Sequence, residues 1–247
     1  LMYRDVHWRE PTREFVLALQ GRTSAEHAII FHPQELSQVA EVLPLYLRRY
    51  DVAGVPSLVD TWQHPTQEQY IQQAYRIMDG RDMLWVGMSQ PETRFGELFK
   101  YLITENGFSD CGIIHRETDL NISAYLKMPA EGGIRFGDTI RIVPMGGLTV
   151  HNNILSFPLA VDVGDDVDAP YSVAVHVDGI HPAMEQDGFG LPIGGFRCEW
   201  VRIDLSRLNA GEYTVLLTVY DANTGERLPV IGADTSLERA ILGLVNK

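Results

Sequence analysis

The sequence has no long apolar run, few cysteines and a deficit of positive charge. No stretch reaches the ~18 uninterrupted apolar residues that a membrane helix requires, so this segment is not expected to cross a bilayer. Lysine and arginine together number 20 against 33 aspartates and glutamates, and the net charge is -13. Because this negative field repels phosphodiester backbones, the composition argues against general nucleic-acid binding.

The two cysteines, Cys111 and Cys198, lie beside apolar or aromatic residues. Buried cysteines usually behave as small hydrophobic side chains, so both are expected to be buried free thiols. In an oxidising compartment the two could instead form a bridge.

The composition is that of a soluble globular protein. Hydrophobic residues make up 45% of the 247 residues and charged residues 21%, which excludes a disordered or fibrous chain. This length corresponds to one large domain or two modest ones. The chain begins with Leu1 rather than Met, from which we expect a segment of a longer protein.

The first half of the sequence alternates apolar runs with helical patterns. This alternation predicts an α/β domain over residues 1–130, with a Rossmann-like, mostly parallel sheet that carries an antiparallel edge. Trp85, in the middle of an apolar run, is expected to lie in the core. The predicted strands lie at 28–31, 55–59 and 83–87, with further extended runs at 108–115 and 121–128. The predicted helices include 35–49, 66–78, stopped by Gly80, and 93–106.

The pattern changes near residue 131, beyond which no long helix is predicted and extended runs alternate with turns. Tyr213, Val215, Leu217 and Val219 fall on one face of a predicted strand, as in the centre of a β-sandwich. Residues 131–247 are therefore predicted to form an antiparallel β-sandwich domain of about seven or eight strands.

Polar and aromatic residues that follow predicted strands form the candidate binding site. Trp62 and His64 follow one strand, and Ser89 and Gln90 follow the next. Because strand ends line ligand clefts in open α/β sheets, these four are the candidate ligand-binding residues. Ser89 is not predicted to be a nucleophile, since a nucleophile elbow needs glycine where Pro91 stands. No catalytic residue is predicted.

No metal or cofactor site is predicted. The acidic segment 162–168 lacks the spacing of an EF-hand loop and is interpreted as a solvated loop. His176, Asp178 and His181 are zinc-ligand types, but a glycine turn separates the last from the others, so they are interpreted as an exposed strand end. The glycine-dense segment 188–195 precedes no helix that could bind phosphate and is predicted to be a long flexible loop.

The segment 208–230 carries the most specific pattern in the chain. It contains LNAGEYT, followed after three residues by TVYDANTGERLPV. The residues between Asp221 and Gly225 are predicted to form a hairpin turn. Arg227 follows the turn and is predicted to reach a carboxylate.

Together with FGDTIRI at 136–142 and YSVAVHV at 171–177, this segment resembles a known family. The family is the C-terminal soluble region of bacterial polytopic GT-C glycosyltransferases of the dolichyl-phosphate-mannose mannosyltransferase (PMT/ArnT-like) type. In that family the catalytic carboxylate lies in the membrane portion, and no part of this chain matches its motif.

The resemblance implies a noncatalytic extracytoplasmic module of a membrane glycosyltransferase that uses a polyprenyl-phosphate sugar donor. Its partner would be the membrane-embedded part of the same polypeptide, at the extracytoplasmic face of a bacterial membrane. The module would shape acceptor access or bind glycan or lipid-linked sugar.

Two alternatives stay open. A free-standing carbohydrate-binding protein would need an exposed aromatic stripe on the sandwich, although Trp200 there is expected to fill the core. An independent hydrolase in the α/β half would need a catalytic cluster at the strand ends near Ser89.

Overall fold

The structure is a computed structural model of the chain. It describes residues 13, 15–20, 22–23, 27–32, 45–49, 57–59, 67–88, 94–117, 120–167, 169–178, 186–192, 194–232 and 238–247. The chain forms two compact units, Leu1–Lys127 and Met128–Lys247. Over the described residues, no helix combines the length and the apolar character needed to cross a membrane.

A five-stranded sheet and its helices form the first unit. The strand order is β2-β1-β3-β5-β4. Residues 15–19 and 45–49 are also helical. The strands are β1 (His27–His32), β2 (Ser57–Val59), β3 (Met83–Met88), β4 (Ser109–Glu117) and β5 (Leu120–Leu126), and the helices are α1 (Gln67–Met78) and α2 (Arg94–Glu105).

The predicted fold class, with its Rossmann-like, mostly parallel domain, is wrong. The described residues are 51% strand and 16% helix, which places the protein in the mostly β class. In the first sheet, β1 pairs parallel with β2 and β3, but β5 lies between β3 and β4 and is antiparallel to both. Only two residues separate Glu117 from Leu120, and so short a connection joins antiparallel neighbours. Strand β5 therefore occupies the place where a Rossmann sheet would continue in parallel.

Strands β1 and β3 are buried on both faces, which is why they read as uninterrupted apolar runs. On one face, Ile29 and Trp85 are fully buried, which confirms the core position predicted for Trp85. The opposite face packs against the helices. Its cluster contains Ala28, Ile30, Leu84, Val86 and Tyr125 of the sheet with Ala74 and Met78 of α1, Ile103 of α2, and Phe108.

A buried histidine accepts a hydrogen bond from this tryptophan. The Trp85 Nε1–H donates to His27 Nδ1 at 3.1 Å. His27 is 5% exposed, and burial lowers its pKa from 6.5 to about 4. The imidazole is therefore neutral at pH 7, with its proton on Nε2.

Both helices are followed by a glycine in the left-handed region, where a side chain would strain the backbone. Gly80 has a φ of 66° and Gly107 a φ of 79°. The stop predicted at Gly80 is confirmed. After α2, the Phe108 N–H donates to the Ile103 carbonyl at 3.2 Å, which closes the helix end.

Two antiparallel sheets form the second unit. One has the order β11-β10-β13-β15, and the other has the order β12-β9-β7-β6-β14, with β8 paired to β9. The strands are β6 (Ile134–Phe136), β7 (Ile140–Pro144), β8 (Thr149–His151), β9 (Ile154–Val163), β10 (Tyr171–Val177), β11 (Gln186–Gly190), β12 (Gly195–Asp204), β13 (Glu212–Asp221), β14 (Val230–Ile231) and β15 (Ala240–Asn246).

Alternate residues of β13 enter one apolar core that both sheets share. Val215, Leu217 and Val219 are buried there and Tyr213 packs against them, as the alternation predicted. Strand β9 supplies residues from the other sheet, including Phe157. Trp200 of β12 is only partly buried, so the prediction that it fills the core is wrong.

The glycine-dense segment 188–195 is not a long flexible loop, because its first residues belong to β11. That strand pairs with β10 and places Phe189 opposite Val173. The Arg197 guanidinium lies 5.8 Å from the Phe189 ring centre and donates to the Gly190 carbonyl at 3.0 Å. Glycines have low strand propensity, so the sequence pattern conceals this strand.

Both cysteines are disulfide-bonded, so the expectation of free thiols is wrong. Cys111 lies on β4 and Cys198 on β12, and both are buried. Burial was correctly expected, but apolar neighbours alone do not distinguish a thiol from a disulfide.

An arginine fixes the start of the second unit to β7. The Arg141 guanidinium donates to the carbonyls of Pro129 at 2.9 Å and Ala130 at 3.2 Å. Gly133 then crosses β7 so closely that a Cβ on it would lie 2.9 Å from the Ile142 oxygen. The chain can take this path only with glycine at that position.

Replacing His27 by glutamine should remove part of the pH dependence of stability. Between pH 6.5 and about 4 the unfolded state binds a proton on His27 that the folded state does not. As the pH is lowered through this window, the free energy of unfolding of the parent should therefore fall by about 2–3 kcal/mol because of this group. Glutamine still offers an oxygen to Trp85 but does not titrate. Urea denaturation at about pH 7.5 and about pH 4.5 measures the difference. Equal losses in parent and variant would contradict the assignment.

Alanine at Gly133 should destabilise the second unit more than alanine at Gly132. Both positions have positive φ, 91° and 83°, so each alanine carries a left-handed penalty of roughly 1–2 kcal/mol. Only the Cβ at position 133 would collide, at 2.6 Å from Val143 Cγ2, whereas at 132 no described atom lies within 4 Å. Urea denaturation should show a further loss of about 1–3 kcal/mol for Gly133→Ala. Equal losses in the two variants would argue against the close crossing.

Candidate functional site

The four predicted binding residues, Trp62, His64, Ser89 and Gln90, lie outside the described residues. The strands that precede them are described. Strands β2 and β3 run parallel to β1 on either side of it, so both end at the same edge of the sheet. The site at this edge stays a prediction.

The acidic segment 162–168 is divided between a strand and a turn. Asp162 lies in β9, Asp165 and Asp166 are exposed in the turn after it, and Asp168 lies outside the described residues. In the described part of the chain, no three potential metal ligands come together.

His176 lies on β10 beside two arginines. Burial first, and then the positive charges of Arg239 and Arg227, lower the pKa of the imidazole. Asp178 is exposed in the next turn, and His181 lies outside the described residues. Because two cations near His176 oppose a further cation, its surroundings disfavour metal binding.

A cleft of about 320 Å³ opens beside the C-terminal ends of both helices of the first unit. This volume is typical of the lower range of small-molecule sites. We call it the helix-end cleft. It is lined by Tyr75, Arg76, Met78, Asp79, Asn106 and Lys127.

The helix-end cleft combines an apolar surface with charged groups. The Tyr75 side chain is 43% exposed, whereas Met78 is buried in the helix–sheet core. The Lys127 Nζ lies 4.4 Å from the centre of the Phe108 ring, a cation–π distance that fixes the position of the ammonium.

The polar groups of the cleft are available to a ligand. Arg76 and Asp79 are exposed, and among the described residues neither they nor Lys127 form an ion pair. The Asn106 amide donates to the Leu102 carbonyl at 2.6 Å, which orients it and leaves its oxygen as an acceptor. Hydrogen-bond donors and acceptors are thus both present.

The cleft lies at the end of the sheet where β3 begins, because the Lys127 N–H donates to the Asp82 carbonyl at 2.9 Å, just before that strand. The predicted site lies where β3 ends. Sequence reasoning searched the carboxyl ends of strands and so missed this cleft. The glycine stop of α1, at Gly80, was predicted, and it is the sequence signal that lies nearest to the cleft.

Within the segment 208–230, residues 219–228 form a hairpin turn closed by backbone hydrogen bonds. The Asp221 carboxylate accepts hydrogen bonds from the N–H groups of Asn223 at 2.7 Å and Thr224 at 3.3 Å. Arg227 reaches the Glu238 carboxylate at 3.5 Å. The predicted turn and the predicted arginine–carboxylate contact are both confirmed, and they are contacts within the fold.

Exposed aromatic side chains are found in the first unit. Tyr75 and Tyr101 are 43% and 59% exposed there. The exposed large hydrophobic residues of the second unit, within the described part, are the aliphatic Ile231, Ile241 and Leu244. Within the described part of the second unit the aromatic side chains are at most partly exposed, and Trp200 is one of those that are partly exposed.

No model of a known protein family matches the sequence, and no curated protein matches it significantly. The family resemblance of segment 208–230 stays a prediction.

Replacing Asp221 by alanine should destabilise the hairpin, whereas asparagine should largely preserve it. Alanine removes the oxygen that accepts two backbone N–H groups, and such a loss costs about 1 kcal/mol. Asparagine keeps an oxygen in the same place and favours the same turn. Urea denaturation of both variants measures the difference. An Asp221→Asn variant as unstable as Asp221→Ala would assign the effect to charge.

Proposed function

We propose that the chain is a noncatalytic extracytoplasmic module of a membrane glycosyltransferase that uses a polyprenyl-phosphate sugar donor. The module binds glycan or shapes the access of the acceptor. Its partner is the membrane-embedded part of the same polypeptide, which carries the reaction. The resemblance of segment 208–230 supports this proposal, and the hairpin turn accounts for why that pattern needs its aspartate, glycine and arginine.

The oxidised state of both cysteines is the observation that supports the extracytoplasmic location. Structural disulfides persist in oxidising compartments and are rare in a reducing cytosol. Cys111 and Cys198 are both disulfide-bonded and both buried. A module on the extracytoplasmic face of a bacterial membrane meets the condition under which such bonds last.

A glycan-binding role is supported by the helix-end cleft. Its exposed tyrosine suits a hydroxyl-rich ligand, and so do its charged donors and acceptors, which form no ion pair among the described residues. The same cleft would serve a free-standing carbohydrate-binding protein, so the two candidates differ in membrane attachment. The hydrolase alternative rests on strand-end residues around Ser89, and no described contact favours it.

Cysteine alkylation and fractionation test the location together. Without reduction, denatured protein from native cells should show no alkylated cysteine, and after reduction it should show both. The native protein should sediment with membranes and be digested by protease added outside the cytoplasmic membrane. Two free thiols in a protein recovered from the cytosol would contradict the proposal. Oxidised protein released without membranes would favour the free-standing alternative.

A further inference from the structure

We infer that the helix-end cleft binds a neutral pyranose ring, which stacks on Tyr75 and is held through neighbouring hydroxyl groups. This inference rests on the glycan-binding part of the proposed function and gives it a place and a ligand class. The sugar ring lies over the exposed tyrosine, and its hydroxyls reach the charged and amide groups around it.

The exposed tyrosine supplies the apolar contact. One face of a pyranose ring consists largely of C–H groups, which gain by leaving water against an aromatic surface. Tyr75 is 43% exposed at the cleft, next to the buried Met78. Tyr101 is more exposed but does not line the cleft, so it serves as a control for an exposed tyrosine elsewhere.

The polar groups match the hydrogen bonding of two adjacent hydroxyls. Each hydroxyl both donates and accepts, so a pair of them needs protein acceptors as well as protein donors. Asp79 only accepts, while Arg76 and Lys127 only donate. The Asn106 oxygen adds a neutral acceptor whose amide is already oriented by Leu102.

The charges around the cleft cancel, which favours a neutral ligand. Arg76 and Lys127 contribute two positive charges and Asp79 one negative charge. The C-terminal ends of α1 and α2 each add roughly half a negative charge. The sum is close to zero, within a chain whose net charge is -13. An anionic sugar would gain from the cations but be repelled by the carboxylate, the helix ends and the overall field.

Titration of the 247-residue chain with simple sugars tests the inference. The ligands are the methyl glycosides of glucose, mannose and galactose, with glucuronate as the anionic comparison, and backbone amide chemical shifts are the readout. At least one neutral glycoside should bind with a Kd on the order of 1 mM, as expected for a ligand of this size. Glucuronate should bind more weakly, and raising the salt concentration should leave the neutral affinity unchanged.

Matched variants locate the binding. Tyr75→Ala should weaken the neutral glycoside roughly tenfold through loss of the stacking surface. Asp79→Asn should weaken it by a similar factor through loss of a charged acceptor. Tyr75→Phe keeps the ring and should retain most of the affinity, and Tyr101→Ala should bind as the parent does. The substituted side chains, Tyr75, Asp79 and Tyr101, are exposed, so the variants are expected to fold.

Each outcome has a defined meaning. Unchanged affinity in Tyr75→Ala and Asp79→Asn would overturn the cleft as the site while leaving the proposed function standing. Tighter binding of glucuronate than of every neutral glycoside would overturn the ligand class. No binding of any sugar would overturn the inference, whereas the extracytoplasmic location would still be decided separately by alkylation and fractionation.

Discussion

Burial of central strands on both faces is the constraint from which the architecture follows. In the first unit both faces of β1 and β3 are buried, so the helices must cover one side of the sheet. In the second unit the buried residues of β9 and β13 belong to one core, which requires two sheets stacked on each other. The remaining elements cover or extend these strands.

The helix-end cleft is a consequence of that covering layer. The two helices that cover the sheet are each followed by a glycine. Both end on the same side, near the start of β3. Their last side chains and the residue after β5 surround a space that no element of the described residues fills. Polar groups can remain there because they stay in contact with water and so avoid the free-energy cost of burial.

Local elements could be predicted from the sequence, but their assembly could not. Apolar runs and helical spacing located β1, β3, α1 and α2, since these signals are local. The place of β5 depends on competition between strands that are far apart in sequence. Its sequence pattern does not distinguish a parallel strand from an antiparallel one. Strand β11 was hidden by its glycines. The cleft joins residues 75–79 with Asn106 and Lys127, which no spacing rule connects.

Arg141 of β7 shows that the fold of the second unit includes residues that precede its first strand. Arg141 holds the Pro129 and Ala130 carbonyls, so these residues belong to the fold of the second unit although they precede its first strand. A fragment that began at residue 131 would leave a guanidinium facing acceptors that no longer exist. A fragment that began at Met128 would keep both of these hydrogen bonds.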